Sequence, residues 1–363
     1  MIRVAINGYG RIGRIAHRII LQRFADEIDV VAINVGSSTD LTGWMYLLKL
    51  DSVYGPLPYD VSVKPNTDKN TPELLGLLIV DKKETAVCSQ KDPSLLPWKD
   101  LQVDVVLECT GKFTKMEKVK AHLTAGAKKV VLSAPAKDPS TSFDKTQDKS
   151  SGQVIPTYIL SVNSDQYKGE AVISNASCTT NCIAPVAKVM VDTFGVEKAM
   201  MTTVHGYTSD QRLHDGGHKD YRRARAAGLN IIPTSTGATS ASAKTIPSLA
   251  GIFQGLALRV PVPVGSLSDF TFVLKRATTK EEVNDAMKKA AASDEYKDIL
   301  AVTDEPLVSS DIIGDPHSSV VDLSLTQVVG GNMVKVIAWY DNEFGYANRL
   351  VEEVLMVGKE SDK

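Results

Sequence analysis

Residues 6–14 read INGYGRIGR, and how these residues are taken decides the fold. Gly8, Gly10 and Gly13 have the spacing G-x-G-x-x-G, placed directly after the apolar run IRVAIN (2–7) and opening the segment RIGRIAHRIILQRF (11–24). In that segment Ile12, Ile15, Ala16, Ile19 and Ile20 repeat at helical spacing and need a sheet to cover them. A first glycine permits a tight turn, a second lets main chain approach a pyrophosphate, and a third lets helix and strand pack closely. With its strand, its helix and a second strand VVAIN (30–34) at the right distance, the stretch reads as a dinucleotide site with phosphates at the helix N-terminus. Working outward, DVVLECTG (104–111) and KVVLSAP (129–135) continue the alternation. The pattern predicts an α/β, Rossmann-type doubly wound sheet.

A carboxylate at the end of the second strand would hold the adenosine ribose and repel a 2′-phosphate. Here the strand runs into INVGSSTD (33–40). Val35 and Gly36 stand where the acid is expected, and Ser37 and Ser38 follow with hydroxyl donors. NADP is therefore an expected cofactor alongside NAD; the alternative is that Asp40, displaced along a longer loop, does the usual work.

Beyond about residue 185 the texture becomes β-rich, in AMMTTVHGY, RVPVPVGSLSDFTFVLK, SSVVDLSLTQVV and MVKVIAWYDNEF, with one clear helix at TKEEVNDAMKKAAAS. This predicts an α+β catalytic domain built on a mostly antiparallel sheet. The expected division is a dinucleotide-binding domain at 1–177, a catalytic domain at 178–341, and a C-terminal helix within 342–363 packing back on the first domain.

The chain has 363 residues, 43% hydrophobic and 23% charged, with a formal net charge of −2, so it has length for two domains and no basic excess. Nucleic acid and membrane surfaces are unexpected partners; small molecules fit better. The sequence opens in a strand rather than a signal peptide, and no run approaches the roughly 18 apolar residues of a membrane span. Four cysteines are too sparse for a disulfide framework. A cytoplasmic protein with free thiols is expected.

Two of those cysteines lie in SNASCTTNCIAP (174–185). Cys178 falls between the apolar run AVISNAS and a helix-like segment. A thiol at a helix N-terminus is expected to have a lowered pKa and to act as a nucleophile. Cys182, one turn on, has poor geometry for a disulfide with it. No second Cys or His pair supplies a zinc site, so no metal is expected. A nucleophilic cysteine wants an imidazole, and His205, ending an apolar run in a polar segment, is the best placed of the six histidines.

INGYGRIGR, SNASCTTNCIAP, TTVHGYTSDQ, RRARAAGLNIIPTSTGA, RVPVP and WYDNEFGYANR occur in this order over nearly the whole chain. Together they resemble phosphorylating glyceraldehyde-3-phosphate dehydrogenases. The resemblance implies that Cys178 attacks the aldehyde, that His205 takes the hydroxyl proton as hydride leaves for the nicotinamide, and that inorganic phosphate cleaves the thioester. It implies that the Cys178 N–H and a protonated His205 steady the oxyanion. Thr208 and Arg259 are expected at the substrate phosphate, Ser177, Arg223, Thr236 and Gly237 at the attacking inorganic phosphate, and Thr179 among the residues that bind substrate or phosphate. Arg11 and Ile12 are expected along the pyrophosphate, Thr110, Gly111 and Ser133 along the cofactor, and Asn342 at the carboxamide. A homotetramer is implied as well.

The sequence departs from the family's NAD-specific pattern at Val35 and at Gly216-Gly217, both changes removing barriers to a 2′-phosphate. The segment 137–156 also looks longer than the family's, and reads as a surface insertion. Erythrose 4-phosphate or a phosphorylated semialdehyde keeps the chemistry and changes the substrate. A Cys-His hydrolase leaves the glycine fingerprint unexplained, and a non-catalytic nucleotide-binding regulator has no need of Cys178, His205 and two anion sites together.

Overall fold

The structure is a computed structural model that describes residues 1–69, 71, 73–137 and 154–359. The looked-for insertion at 137–156 falls almost wholly outside the described residues. The chain divides into two compact units: Met1–Thr157 with Tyr167–Asn175 and Ala347–Lys363, and Tyr158–Gln166 with Ala176–Tyr346.

The first unit is built on an eight-stranded sheet. Its strands are β1 (Ile2–Asn7), β2 (Ile28–Asn34), β3 (Val61–Pro65), β4 (Leu74–Val80), β5 (Lys83–Cys88), β6 (Val105–Glu108), β7 (Lys129–Leu132) and β8 (Val172–Ser174). The order is β8-β7-β6-β1-β2-β5-β4-β3, with β8 through β5 parallel and β4 and β3 added antiparallel at one edge. The parallel strands are covered on both faces, and so β6 reads VVLE with all four residues buried. Helix α1 (Arg11–Arg23) buries Ile15, Ala16, Ile19 and Ile20. Helix α2 (Leu41–Lys49) follows β2, and the short helix α3 (Ala121–Thr124) precedes β7. Because β2 and β6 flank β1, the turns after these three strands share one sheet edge at the point where the order reverses, which is where such folds bind ligands.

The second unit holds β9 (Val196–Gly206), β10 (Ile232–Ser235), β11 (Phe253–Val260), β12 (Ser266–Leu274), β13 (Leu300–Thr303), β14 (Ser319–Asp322), β15 (Gln327–Val329) and β16 (Met333–Tyr340). Their order is β10-β11-β9-β12-β16-β14-β13, with β15 beside β16. Only β9/β11 and β13/β14 run parallel among the pairs described. Strand β12 alternates buried and half-buried residues along its length, as a sheet with one covered face should. Helix α4 (Cys178–Phe194) lies in the same core, with Cys182, Val186 and Met190 packed among Phe270, Phe272, Val334 and Val336. Helices α5 (Ala238–Thr245) and α6 (Lys280–Ala291) also lie in this unit, while α7 (Phe344–Lys359) starts in it and runs on into Ala347–Lys363 of the first unit. The Thr279 side chain caps α6 by accepting from Glu282 N–H at 3.2 Å.

Candidate active site

Ser177 ends an extended segment, and its hydroxyl accepts from the Thr180 N–H at 3.1 Å. Such a cap is worth about 1 kcal/mol, and it fixes Cys178 as the first residue of α4. Ala176, immediately before the cap, holds a left-handed φ of 51° and is buried. Its carbonyl accepts from the Tyr346 hydroxyl at 3.2 Å.

Strand β9 delivers His205 to the same place: Cys178 Sγ lies 3.4 Å from His205 Nε2. The other ring nitrogen, Nδ1, is 2.6 Å from the Gly206 carbonyl oxygen. A carbonyl only accepts, so Nδ1 carries the proton and Nε2 presents a lone pair to the thiol. Arg259 Nη1 also stands 3.0 Å from Nδ1. Facing an N–H, it directs its donors instead to Gly206 O at 3.2 Å and Thr208 Oγ1 at 3.5 Å. Arg259 Nε is buried without a hydrogen-bond partner among the described residues.

One electrostatic expectation changes here. Burial pushes the Cys178 thiol up, and the opposing pulls of Arg259 and of the hydrogen bonds at Thr179 and the helix start do not reverse it. The helix N-terminus therefore does not give a standing thiolate. Burial, with the Arg259 charge second, pushes His205 down to about 3. In the free site the imidazole is therefore a proton acceptor, and the charged form expected to steady an oxyanion arises only once Nε2 has taken the thiol proton.

The remaining polar side chains are distributed as follows. Thr208, half-buried, stands beside Arg259. The Arg223 guanidinium pairs with Asp210, approaches Asp220 at 3.4 Å, and donates to Thr234 Oγ1 at 3.0 Å, just before Thr236. Thr236 Oγ1 accepts from Ala238 N–H at 3.2 Å, and Gly237 is the N-cap of α5. Among the described residues no hydrogen bond joins Ser177 to Arg223. Asn342 Oδ1 accepts from Ser266 Oγ at 2.8 Å and Gly265 N at 3.2 Å, which sets the orientation of its amide.

In the first unit Gly8 has φ of 95°, and a side chain there would stand 2.7 Å from Thr110 Cγ2. A Cβ on Gly13 would overlap the Gly8 carbonyl oxygen, whereas one on Gly10 would meet nothing within 4 Å. Gly10 is the N-cap of α1, and no side chain caps it. Main-chain N–H groups at this helix start suit a pyrophosphate. The Arg11 guanidinium is engaged by Asp51 at 2.7 Å, so Arg11 and Ile12 offer that ligand their main chain. Thr110 and Gly111 follow β6, and Ser133 follows β7, its N–H donating to Glu108 O at 2.9 Å. Ser37 is exposed, and Ser38 Oγ accepts from Trp44 Nε1 at 2.9 Å. The Asp40 carboxylate caps α2 through Gly43 N–H at 2.8 Å.

Family comparisons agree with both halves of this picture. The family model "Glyceraldehyde 3-phosphate dehydrogenase, NAD binding domain" matches residues 2–116, and "Glyceraldehyde 3-phosphate dehydrogenase, C-terminal domain" matches residues 177–342. Curated proteins called glyceraldehyde-3-phosphate dehydrogenase are similar over 99% of both chains: 49% identical in Mycobacterium avium, 49% in Mycolicibacterium smegmatis and 48% in Streptomyces coelicolor. The chain belongs to the glyceraldehyde-3-phosphate dehydrogenase family.

As a member of that family it is an oxidoreductase with an NAD-binding domain, and the glycine turn just described has the shape and donors such a cofactor needs. Among the described residues no helix is long and apolar enough to cross a membrane. Sequence reasoning missed Tyr340 as a participant in this dehydrogenase-family site. Thr203 donates to Leu267 O at 3.1 Å, so it accepts from Tyr340 O–H at 2.8 Å, and Tyr340 in turn accepts from Thr179 O–H at 3.0 Å. The Tyr340 ring meets His205 edge-on, with centroids 6.0 Å apart. The only signal in the sequence was its place beside Asn342 in WYDNEF.

Proposed function

We propose that this chain oxidises glyceraldehyde 3-phosphate to 1,3-bisphosphoglycerate, consuming inorganic phosphate and using NAD or NADP. The observation that carries the reading is the 3.4 Å approach of Cys178 Sγ to the basic nitrogen of His205, in a chain 49% identical to a protein called glyceraldehyde-3-phosphate dehydrogenase.

Since the thiol is held up and the imidazole down, the two are neutral before substrate arrives, and the proton moves as the bond forms. Cys178 Sγ attacks the aldehyde carbon while its proton passes to Nε2 and on to the carbonyl oxygen, giving a hemithioacetal. His205 Nε2 then takes the hydroxyl proton. When bound, the nicotinamide supplies the acceptor for the hydride, and the product on Cys178 is a thioester. A phosphate oxygen attacks the thioester carbon, the sulfur leaves and recovers its proton from Nε2, and the phosphate's own proton goes to water. The Cys178 main-chain N–H, at the start of α4, is placed to steady the oxyanion in both additions.

Arg259, whose buried Nε has no hydrogen-bond partner among the described residues, and Thr208 suit the substrate phosphate. Ser177, Thr179, Arg223, Thr236 and Gly237 are assigned to the substrate and the attacking phosphate; Arg223 must exchange Asp210 for that anion. Asn342 is assigned to the carboxamide, and Gly8, Gly10, Arg11, Ile12, Gly13, Val35, Gly36, Ser37, Ser38, Thr110, Gly111 and Ser133 to the rest of the cofactor. NADP acceptance is supported by Val35 in place of the expected acid, by the exposed hydroxyl of Ser37 and by the engagement of the Asp40 carboxylate as a helix cap. The described cysteines are all unpaired, which supports a reducing compartment such as the cytoplasm. Leu213, Tyr221, Leu229 and Ile231 are exposed along one loop, which supports burial between copies in a homotetramer.

The test is the initial rate of reduced-cofactor formation from glyceraldehyde 3-phosphate, with NAD and NADP in parallel, each with and without phosphate. Phosphate-dependent turnover with both cofactors is expected. Turnover with NAD alone overturns the NADP assignment; turnover with neither, against turnover on erythrose 4-phosphate, overturns the substrate.

A further inference from the structure

One buried cluster in the first unit takes no part in that chemistry. Glu108, the last residue of β6, is fully buried. Its Oε1 accepts from the Thr110 main-chain N–H at 2.7 Å and from the Thr110 hydroxyl. Its Oε2 accepts from Asn7 Nδ2 at 2.5 Å and from His122 Nε2 at 3.0 Å. The direction of the last bond is settled by Trp98, whose Nε1–H can only donate and stands 3.0 Å from His122 Nδ1. Nδ1 therefore carries the lone pair, and Nε2 carries the proton that points at Glu108.

From Asn7 the chain of bonds continues. Asn7 Oδ1 accepts from Asn34 Nδ2 at 2.6 Å, which also donates to Gln90 O at 2.9 Å. Asn34 Oδ1 accepts from Gln90 N at 3.0 Å and from Gly36 N at 3.4 Å. Every amide in the series has one allowed orientation, set by its neighbour. Asn7 directly precedes Gly8, Gly36 lies in the loop after β2, and Thr110 is the residue whose methyl bears on Gly8. One carboxylate thus holds the turns after β1, β2 and β6, the three turns that share the sheet edge.

We infer that Glu108 is the positioning residue of the dinucleotide site, fixing the Gly8, Gly36 and Thr110 turns at the spacing the cofactor requires. The inference rests on the proposed use of those turns for NAD or NADP. Glu108 touches no reactant; it acts through the turns, and only a carboxylate can do so. An amide in its place turns an N–H group toward donors that have nothing else to bind. The donor from His122 keeps the carboxylate in the orientation that serves Thr110 and Asn7.

The test measures NAD and NADP binding by calorimetry, steady-state kinetics, and the rate of Cys178 alkylation by iodoacetamide without cofactor. For Glu108→Gln the cofactor Kd and KM are expected to rise roughly tenfold or more, the factor that leaving one buried donor unpaired produces. Turnover at saturating cofactor is expected to stay within about twofold, and the alkylation rate is expected not to change. His122→Gln, which keeps a donor near the Nε2 position, retains binding, while His122→Leu weakens it as Glu108→Gln does. Unchanged Kd in Glu108→Gln overturns the inference, as does a drop in Tm, kcat and alkylation together with no effect particular to cofactor. If Glu108→Gln does not fold, equal Kd in the two His122 variants overturns it. A wild-type chain that binds neither cofactor overturns the functional reading and this inference with it; normal binding by both wild type and Glu108→Gln overturns this inference alone.

Discussion

His205 and Arg259 are register partners across the parallel strands β9 and β11, with Arg259 Nη1 3.0 Å from His205 Nδ1. The pairing places a permanent charge against the ring that must accept a proton. That charge, second to burial, holds His205 down to about 3, and it also pulls against the burial that raises the Cys178 thiol. Arg259→Gln should therefore raise both groups. Alkylation of Cys178 becomes slower at pH 7, and its pH profile moves to higher pH. The KM for the aldehyde phosphate rises by roughly 10–100-fold, the loss of a charged hydrogen bond. A profile that stays where it is in the wild type shows that Arg259 does not set the thiol.

Gly10 and Gly13 should fail differently. An added Cβ at Gly13 runs into the Gly8 carbonyl, whereas one at Gly10 meets nothing. Gly13→Ala is expected to lower Tm by disturbing the contact of α1 with β1. Gly10→Ala should melt like the wild type yet bind NAD at least about tenfold more weakly, because the methyl fills space needed by the pyrophosphate. Equal Kd for Gly10→Ala and wild type places the phosphates elsewhere.

Cofactor choice is tested by Val35→Asp. A carboxylate at the end of β2 repels a 2′-phosphate and accepts from ribose hydroxyls, so the KM for NADP should rise by about tenfold or more with that for NAD unchanged or lower. Parallel losses with both cofactors mean that the substitution has only damaged the loop.

Glu353 gives a pH prediction. It is buried in α7, neither carboxyl oxygen has a hydrogen-bond partner among the described residues, and burial, with Glu352 second, pushes its pKa well above the ordinary carboxylate range. Below the pH at which the unfolded chain ionises, the acid is protonated in both states and adds no pH dependence. Above it the unfolded chain releases the proton while the native chain retains it, so stability falls as pH rises, until the native group ionises too. Glu353→Gln removes this dependence. Urea unfolding at pH 5 and pH 8 should show a smaller loss for the variant than for the wild type, with Tm at pH 8 raised by roughly 1–2 °C for each kcal/mol recovered. Parallel curves at the two pH values show that Glu353 titrates normally.

The sequence made local features readable and left distant ones hidden. The run from Ile2 through α1 to Asn34 was legible because one glycine spacing and two hydrophobic periods fall within a few dozen residues. The antiparallel strands β3 and β4 were not anticipated, since LLGLLIV carries no alternation to mark it as an edge hairpin. RVPVPVGSLSDFTFVLK read as one extended run and is two strands, with Pro261 and Pro263 between them because neither can donate to a ladder. At the site, Cys178 at a helix start is a local pattern, but its raised pKa is a consequence of burial, which no window of sequence reports. Tyr340 and Thr203 lie 137 positions apart, and Glu108 and Asn7 lie 101 apart. Each looks like an ordinary core residue until the fold joins them.

The phenol of Tyr340 has a consequence for time as well as for place. It ties Thr179, next to the nucleophile, to Thr203, two residues before the base, through hydroxyls that are already joined before any substrate enters. Helix α4 and strand β9 cannot drift apart without breaking that run of bonds. Thermal motion that would open the gap between sulfur and imidazole is therefore damped in the resting protein. Bringing the two groups into line is settled during folding, and no part of that ordering is left to the reaction step.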